Sequence, residues 1–367
     1  MGQDDAYAQL AERHGQGRSA RFRKILEFTM TPQEAELAVR LPKPIPELAQ
    51  EVGLDVATVN DLLERMYKKG MILPRNFQTH ETFRYARSVG QLHDTAQSLW
   101  NIDVFTDAEK KQLWGLWEDW VRNEWEPERV PKLNDAPVPT QRVVPAYKSI
   151  LDSPELLPCE DIREMVKTAN LIAVVSCSCR KRKEAVVKPC DKSHDMNCLQ
   201  FNRSAEYAIS RGHGKKLSVE ETLALVEEIE DDGLVHCWGN SDAMTINTFC
   251  SCCADCCMNF QPMLEMGVPI TKAYAKSRYE ARNNEALCDG CQKCIERCNF
   301  DAISMDKVPG FKRLKAFIDK ELCMGCGVCV LACEPQSLKM ALVRPKEHIP
   351  SFVAAPRPAP SPRAASA

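Results

Sequence analysis

Nineteen of the 367 residues are cysteine, and all lie between Cys159 and Cys333. Eight of them form two runs with one spacing: Cys288, Cys291, Cys294 and Cys298, then Cys323, Cys326, Cys329 and Cys333. The second run repeats the first 35 residues later, with Gly290 and Gly325, Ile303 and Leu338, and Met305 and Met340 in register. Thiolates are soft ligands suited to zinc and to iron–sulfur clusters. The start of the chain lacks the basic region and apolar core of a secretory signal, so a cytoplasmic location is expected. Thiols stay reduced there, which disfavours a disulfide framework and leaves metal or cluster ligation as the use for so many.

The C-x2-C-x2-C-x3-C run is that of bacterial ferredoxins, and residues 285–343 resemble a two-cluster ferredoxin domain. Three cysteines at two-residue gaps fit a loop wrapped around one cubane, and the fourth reaches the other cubane. The resemblance implies that Cys288, Cys291, Cys294 and Cys333 hold one 4Fe–4S cluster, and that Cys323, Cys326, Cys329 and Cys298 hold a second. Gly290 and Gly325 are expected to let the backbone pass close to the clusters. A pair of zinc ribbons is the rival use of such spacing. The sequence departs from the pattern after the fourth cysteine: Asn299 replaces the usual proline, and Pro335 comes one residue late. Pro309 to Phe317 reads as a basic surface excursion.

Nine further cysteines form two groups: Cys177, Cys179, Cys190 and Cys198, and the dense run Cys250, Cys252, Cys253, Cys256 and Cys257. Adjacent cysteines cannot both face inward along a strand, and bunched thiolates repel without a cation. One or two more iron–sulfur clusters, or zinc, are the readings for these nine as a single metal-binding unit. Thiol redox chemistry at Cys253 and Cys256 is the alternative. Cys159 reads as an ordinary thiol, and His213 and His236 as structural. Arg180 and the basic residues after it could place positive charge beside a cluster and raise its potential.

The elements that must position these residues divide the chain into a cysteine-free front and a cysteine-rich back. Hydrophobic residues make up 44% and net charge is −3, which fits a soluble globular protein and argues against a strongly basic nucleic-acid binder. No apolar run approaches a membrane span; the best, Leu171 to Val175, has five residues. Residues 1–130 are expected to be a helical docking domain. Thr31, Pro32 and Glu34 start one helix, Pro46 to Val52 form a short second, and Asp55 caps a third from Val56 to Lys69. A strand over Met71 to Leu73 would complete a unit resembling the winged-helix domain. Residues 30–75 hold six basic and seven acidic side chains, too few positive charges for strong phosphate binding, so protein docking is favoured over DNA. The tryptophan-rich stretch 99–125 reads as core, and the proline-rich stretch 126–145 as an extended connection. Residues 131–270 are expected to be an α/β cysteine-rich metal-binding domain, and 344–367 a disordered tail.

The whole pattern resembles 4Fe–4S ferredoxin-type proteins of anaerobic bacteria and archaea. These join a winged-helix-like front, an Arg142–Pro145 segment, a Cys177–Arg180 segment, a Gly233–His236 segment and a cysteine-dense run to a C-terminal dicluster ferredoxin. The fold expected is α+β. The resemblance implies single-electron transfer between a low-potential donor and a partner oxidoreductase in anaerobic metabolism. A reductase or reductive activator with its site at the middle cysteines, and a redox-sensing DNA-binding regulator, are the alternatives. Neither a G-x-G-x-x-G nor a Walker A run is present, so hydride or nucleotide chemistry is not expected.

Overall fold

The computed structural model describes residues 5–192, 195–244 and 247–352. The chain is mixed α and β. Helices dominate the front, an antiparallel sheet forms the middle, and two small hairpin-like ladders carry the C-terminal cysteine runs.

The front opens with helices Ala6–Glu12 and Ala20–Thr29. Helix Pro32–Arg40 follows with the full capping box of Thr31 and Glu34, helix Ile45–Val52 ends at left-handed Gly53, and helix Val56–Lys68 is capped by Asp55. Strands β1 (Ile72–Pro74) and β2 (Phe83–Tyr85) then pair antiparallel. After helices Val89–Gln97 and Asp107–Trp120, a π turn at Val121–Trp125 leads into helix Glu126–Asp135. Leu113, Trp117, Trp120 and Val121 are fully buried, as a helical-period stripe predicts.

The proline-rich stretch is not extended at its start. Pro127 sits in the first turn, where its missing N–H costs nothing, and the helix continues through Pro131. Arg129 lies over the Trp125 ring, 4.2 Å from its centroid, and donates to the Asn259 side chain at 2.7 Å, so packing holds this turn against its composition. The boundary expected at residues 130 and 131 therefore falls inside a helix.

The middle is a six-stranded sheet in the order β3-β7-β8-β5-β4-β6, antiparallel throughout. The strands are β3 (Gln141–Val144), β4 (Ile172–Ser176), β5 (Met196–Phe201), β6 (Gly214–Leu217), β7 (Val235–Gly239) and β8 (Thr248–Cys252). One face packs Leu199, Phe201, Trp238 and Phe249 against Ile162, Met165, Val166 and Val226 from the helices below. Helix Val219–Asp231, with its Ser218–Glu221 capping box, covers that face. Its buried Glu230 accepts from the Tyr147 backbone N–H at 2.8 Å and lies 3.3 Å from His236 Nε2.

The front and middle share a core. Tyr207, Met258 and Cys179 pack into the same apolar cluster as the front tryptophans. Buried Arg182 donates to buried Glu118 on helix Asp107–Trp120. Buried Arg211 donates to the carbonyls of Lys68 and Thr95, at 3.1 and 2.6 Å.

The C-terminal unit pairs β9 (Tyr279–Asn283) with β12 (Leu338–Leu342) and β10 (Ile303–Asp306) with β11 (Lys315–Ile318). The basic excursion expected from Pro309 to Phe317 is thus partly strand, and Lys315 is buried with its ammonium on the Cys288 carbonyl. Gly290 and Gly325 have φ of +75° and +71°. An added Cβ would lie 2.7 Å from the Leu314 carbonyl oxygen at Gly290 and 2.2 Å from that of Tyr279 at Gly325. The close approach is to a neighbouring backbone segment as well as a turn requirement. Of the tail expected to be disordered, residues 344–352 are ordered: Ile349 is buried and Asp242 accepts from the Phe352 N–H at 2.6 Å. Residues 353–367 lie outside the described residues.

Glu118→Ala should destabilise the protein by about 3–5 kcal/mol, because Arg182 would stay buried without its partner. Chemical denaturation followed by tryptophan fluorescence, which reports Trp117 and Trp120 beside this pair, measures it.

Candidate metal and cluster centres

The middle cysteines are assembled by strand alternation. On β8, Phe249 and Ser251 point to the buried face, so Cys250 and Cys252 share the other. Register places Cys237 of β7 directly opposite Cys250, and the Leu199–Phe249 pair on the neighbouring strand brings Cys198 beside it. Four sulfurs from three adjacent strands thus stand on one face.

The remaining sulfurs reach this face from turns. Cys177 caps helix Ser178–Val186 at the end of β4, and Cys253 to Cys257 form a tight turn after β8, with the Cys257 N–H donating to the Cys253 carbonyl at 3.2 Å. Thiol touches thiol in a continuous series: Cys177 with Cys179, Cys179 with Cys257, Cys257 with Cys252, Cys252 with Cys237 and Cys250, and Cys250 with Cys198. Contact with a neighbouring sulfur, then burial, pushes Cys177, Cys198 and Cys252 well above the ordinary thiol range. Cys250 is held low by the Cys198 and Cys252 thiols, and Cys257 falls to about 6 by those of Cys179 and Cys252.

A second group draws on both sequence clusters. Sulfurs of Cys190, Cys253 and Cys256 and a carboxylate oxygen of Asp255 all lie within 4.8 Å of one another. The Cys190 and Cys253 sulfurs are 3.8 Å apart. Contact with the Cys253 and then the Cys256 thiol lowers Cys190 to about 2. Metal–sulfur bonds of about 2.3 Å in a tetrahedron put sulfurs about 3.8 Å apart, so this set fits a single ion. The guanidinium of Arg180 faces Cys177, Cys190 and Cys253, between the two groups.

The C-terminal cysteines line two small apolar cavities. Cys288, Cys291, Cys294 and Cys333 line one, with Met305 and Leu338. Cys298, Cys323, Cys326 and Cys329 line the other, with Phe300 and Ile318. In each, three cysteines of one run meet the fourth of the other. Donor sets of four sulfurs in an apolar, backbone-lined pocket suit 4Fe–4S clusters.

The second of these cavities adjoins the middle sulfurs. Cys298 and Cys326 pack in one apolar cluster with Cys237, Cys250, Cys252 and Cys257, around Phe260, Tyr274 and Phe300. Asn299 stitches the two units: its Oδ1 accepts from the Ala254 N–H at 3.1 Å and its Nδ2 donates to the Gly233 carbonyl at 3.0 Å. The Ala146 N–H donates to the Cys326 carbonyl at 2.8 Å. A proline at residue 299 would have no side-chain donor or acceptor for these bonds.

Sequence reasoning missed Cys237 and Asp255. Cys237 is a lone cysteine whose partners come only from strand register, and Asp255 was legible only as a neighbour inside the dense run. Cys159 is buried away from both groups, its carbonyl accepting from Arg142. His236 bonds Ser251 and Glu230, as a structural role requires, and His213 packs on Tyr207.

Above the sulfur-bearing face, between sheet and front helices, lies a cavity of about 1830 Å³. Cys177, Cys179, Cys198, Cys250, Cys252 and Cys257 are part of its lining.

Residues 287–338 match the family described as the 4Fe-4S dicluster domain. No curated protein and no solved structure matches the chain. The matched segment and the assembled middle sulfurs make this an iron–sulfur protein with an electron-transfer domain at its C-terminal end.

Proposed function

We propose that the chain carries single electrons from a low-potential donor through its ferredoxin unit to the middle cysteine centre, and on to a partner oxidoreductase of anaerobic metabolism. The observation that carries this reading is the shared apolar core of Cys298, Cys326, Cys250, Cys252 and Cys257. On this reading, Cys288, Cys291, Cys294 and Cys333 would hold the outer cluster, and Cys323, Cys326, Cys329 and Cys298 the inner one. A 4Fe–4S cluster, when bound, takes up and gives back one electron at modest structural cost.

The protein residues set the order of the centres. Cys291 is exposed, and Leu287 and Leu314 near it are 50% and 45% exposed, a surface suited to a donor protein. Cys326 and Cys329 are buried and face inward. Asn299, Ala146 and the Phe260–Phe300 contact at 5.4 Å fix the inner unit against the middle sulfurs. Cys190, Cys253, Cys256 and Asp255 would hold one ion, zinc or iron. The series from Cys177 through Cys257 and Cys252 to Cys198 would hold a further cluster. Arg180 between the two groups would offset thiolate charge and favour the reduced state.

The winged-helix-like front belongs to this reading as a docking module whose partner is its own chain. Lys68 and Arg211 lock helix Val56–Lys68 to the middle domain, and Tyr67 shares a 2.5 Å hydrogen bond with Ser210. Glu34 pairs with both Arg65 and Lys69, which removes two of the basic side chains a DNA phosphate would need. The described residues contain no helix long and apolar enough to cross a membrane.

Cys333→Ala should abolish the electron paramagnetic resonance signal of the cluster held by Cys288, Cys291 and Cys294 while sparing the other. Loss of the cluster at Cys323, Cys326 and Cys329 instead would overturn the ligand assignment. Cys253→Ser should lower metal content by about one ion per chain and reduce thermal stability, since bound metal contributes folding energy. Unchanged iron, zinc and melting temperature would show that Cys253 is not a ligand. With a reduced ferredoxin as donor, Cys329→Ser should leave the outer cluster reducible but slow reduction of the middle centre at least tenfold. Equal rates would sink the proposed order.

A further inference from the structure

The cavity over the sulfur-bearing face has a second, unlike end. Arg75, Arg84, Arg87 and Arg203 line it. Arg84 is on β2, Arg75 begins the connection between β1 and β2, Arg87 follows β2, and Arg203 opens helix Arg203–Arg211. Arg84 donates to the Tyr85 carbonyl at 3.2 Å and to Gln91 Oε1 at 3.0 Å. Arg203 donates to the Arg75 carbonyl at 2.7 Å and lies 5.1 Å from the Phe77 ring centroid. Among the described residues, no carboxylate lies within 4.0 Å of any of these four guanidiniums. Burial, then the charges of Arg87, Arg203 and Arg75, lowers Arg84 to about 10. Arg84 is half-buried and Arg75, Arg87 and Arg203 are exposed, so they form a solvent-facing cationic end where an incoming anion would meet all four.

Residues that line the cavity also carry buried polar atoms with no hydrogen-bond partner: Tyr85 Oη, His93 Nε2, Asn197 Oδ1, Tyr207 Oη and His213 Nδ1. Buried polar side-chain atoms are ordinarily paired, and five such atoms on residues lining one cavity call for a partner there. One helix links the two ends. On Val89–Gln97, Gln91 accepts from Arg84, and Asp94 accepts from Ser178 Oγ at 2.9 Å beside Cys177 and Cys179. Residues three apart on a helix are about 5–6 Å apart at Cβ, so one small molecule can span both ends. The volume, about 1830 Å³, exceeds the roughly 300–1,000 Å³ of ordinary ligand pockets and leaves room beside a metal centre.

We propose that this cavity binds a small organic anion of at least two negative charges. Its carboxylate or phosphate oxygens lie on Arg75, Arg84, Arg87 and Arg203, and its body points toward the cysteine wall. Guanidinium forks suit either oxyanion. The proposal goes beyond electron transfer and stands without it, because anion binding needs the arginines and not a working electron path.

Titration calorimetry of the full chain, purified without oxygen, tests it with inorganic pyrophosphate and with citrate at low salt. At least one should bind saturably at one per chain, and Arg84→Gln/Arg87→Gln should weaken that binding at least tenfold with iron content unchanged. Pyrophosphate alone would assign a phosphate ligand, citrate alone a carboxylate, and binding of both the shared oxyanion chemistry. As a check that needs no variant, the bound probe should protect Arg87 and Arg203 from phenylglyoxal, read by mass spectrometry. Failure of both probes to bind, or binding with no protection of these arginines, would overturn the proposal. Loss of electron delivery in the Cys329→Ser variant with anion binding intact would separate the two readings.

Discussion

Crowded sulfur is the constraint around which this molecule is arranged. Cys237, Cys250, Cys252 and Cys198 stand side by side on one sheet face, and Cys177, Cys179 and Cys257 close over them. Buried thiols are poor hydrogen-bond partners for each other, and each one that ionises raises the cost for the next. The opposite directions in which neighbours such as Cys250 and Cys252 shift express that competition. Bound cations remove it, and the free energy they release contributes to folding. The sheet therefore carries crowded thiols on one face and a conventional apolar core on the other, where Trp238, Phe201 and Phe249 pack.

That division explains which parts were legible in the sequence. The two C-terminal runs were, because three cysteines at two-residue gaps define a loop by themselves. Local helix signals were legible for the same reason: Thr31 with Glu34, and Ser218 with Glu221, form the capping boxes their spacing implies. The middle site was legible only as a composition. Its geometry depends on which strands are neighbours, and the order β7-β8-β5 cannot be read from spacing. Cys237 is the clearest case: nothing local distinguishes it until Cys250 is found opposite. The helix through Pro127 and Pro131 failed for a related reason, since Trp125, Arg129 and Asn259 override a propensity that would otherwise end it.

The front is also explained by the middle. Its helix Val56–Lys68 spends its C-terminal turn on contacts to Ser210 and Arg211, and Glu118 neutralises Arg182 four residues beyond Ser178. The helix that carries Cys179 is thereby braced from the side opposite the sheet. A metal centre needs its ligands oriented by packing that does not relax when the metal's charge changes. Buried ion pairs are weak stabilisers but stringent positioners, because a shifted partner leaves a desolvated charge.

Asn299 shows how a departure from the ferredoxin pattern serves the larger chain. The fourth cysteine of a run is followed by a turn that must face something. Here it faces the Cys253–Cys257 turn, and a side chain with one acceptor and two donors can bind both the Ala254 N–H and the Gly233 carbonyl. Arg297, two residues earlier, adds a bond to the Asp231 carbonyl at the end of the helix that braces β7. The second run keeps Pro335 near the equivalent turn, where residues 334 and 336 are exposed. The asymmetry between the two copies thus follows the asymmetry of their surroundings: one end of the dicluster unit is built to meet the middle sulfurs, and the other is left open.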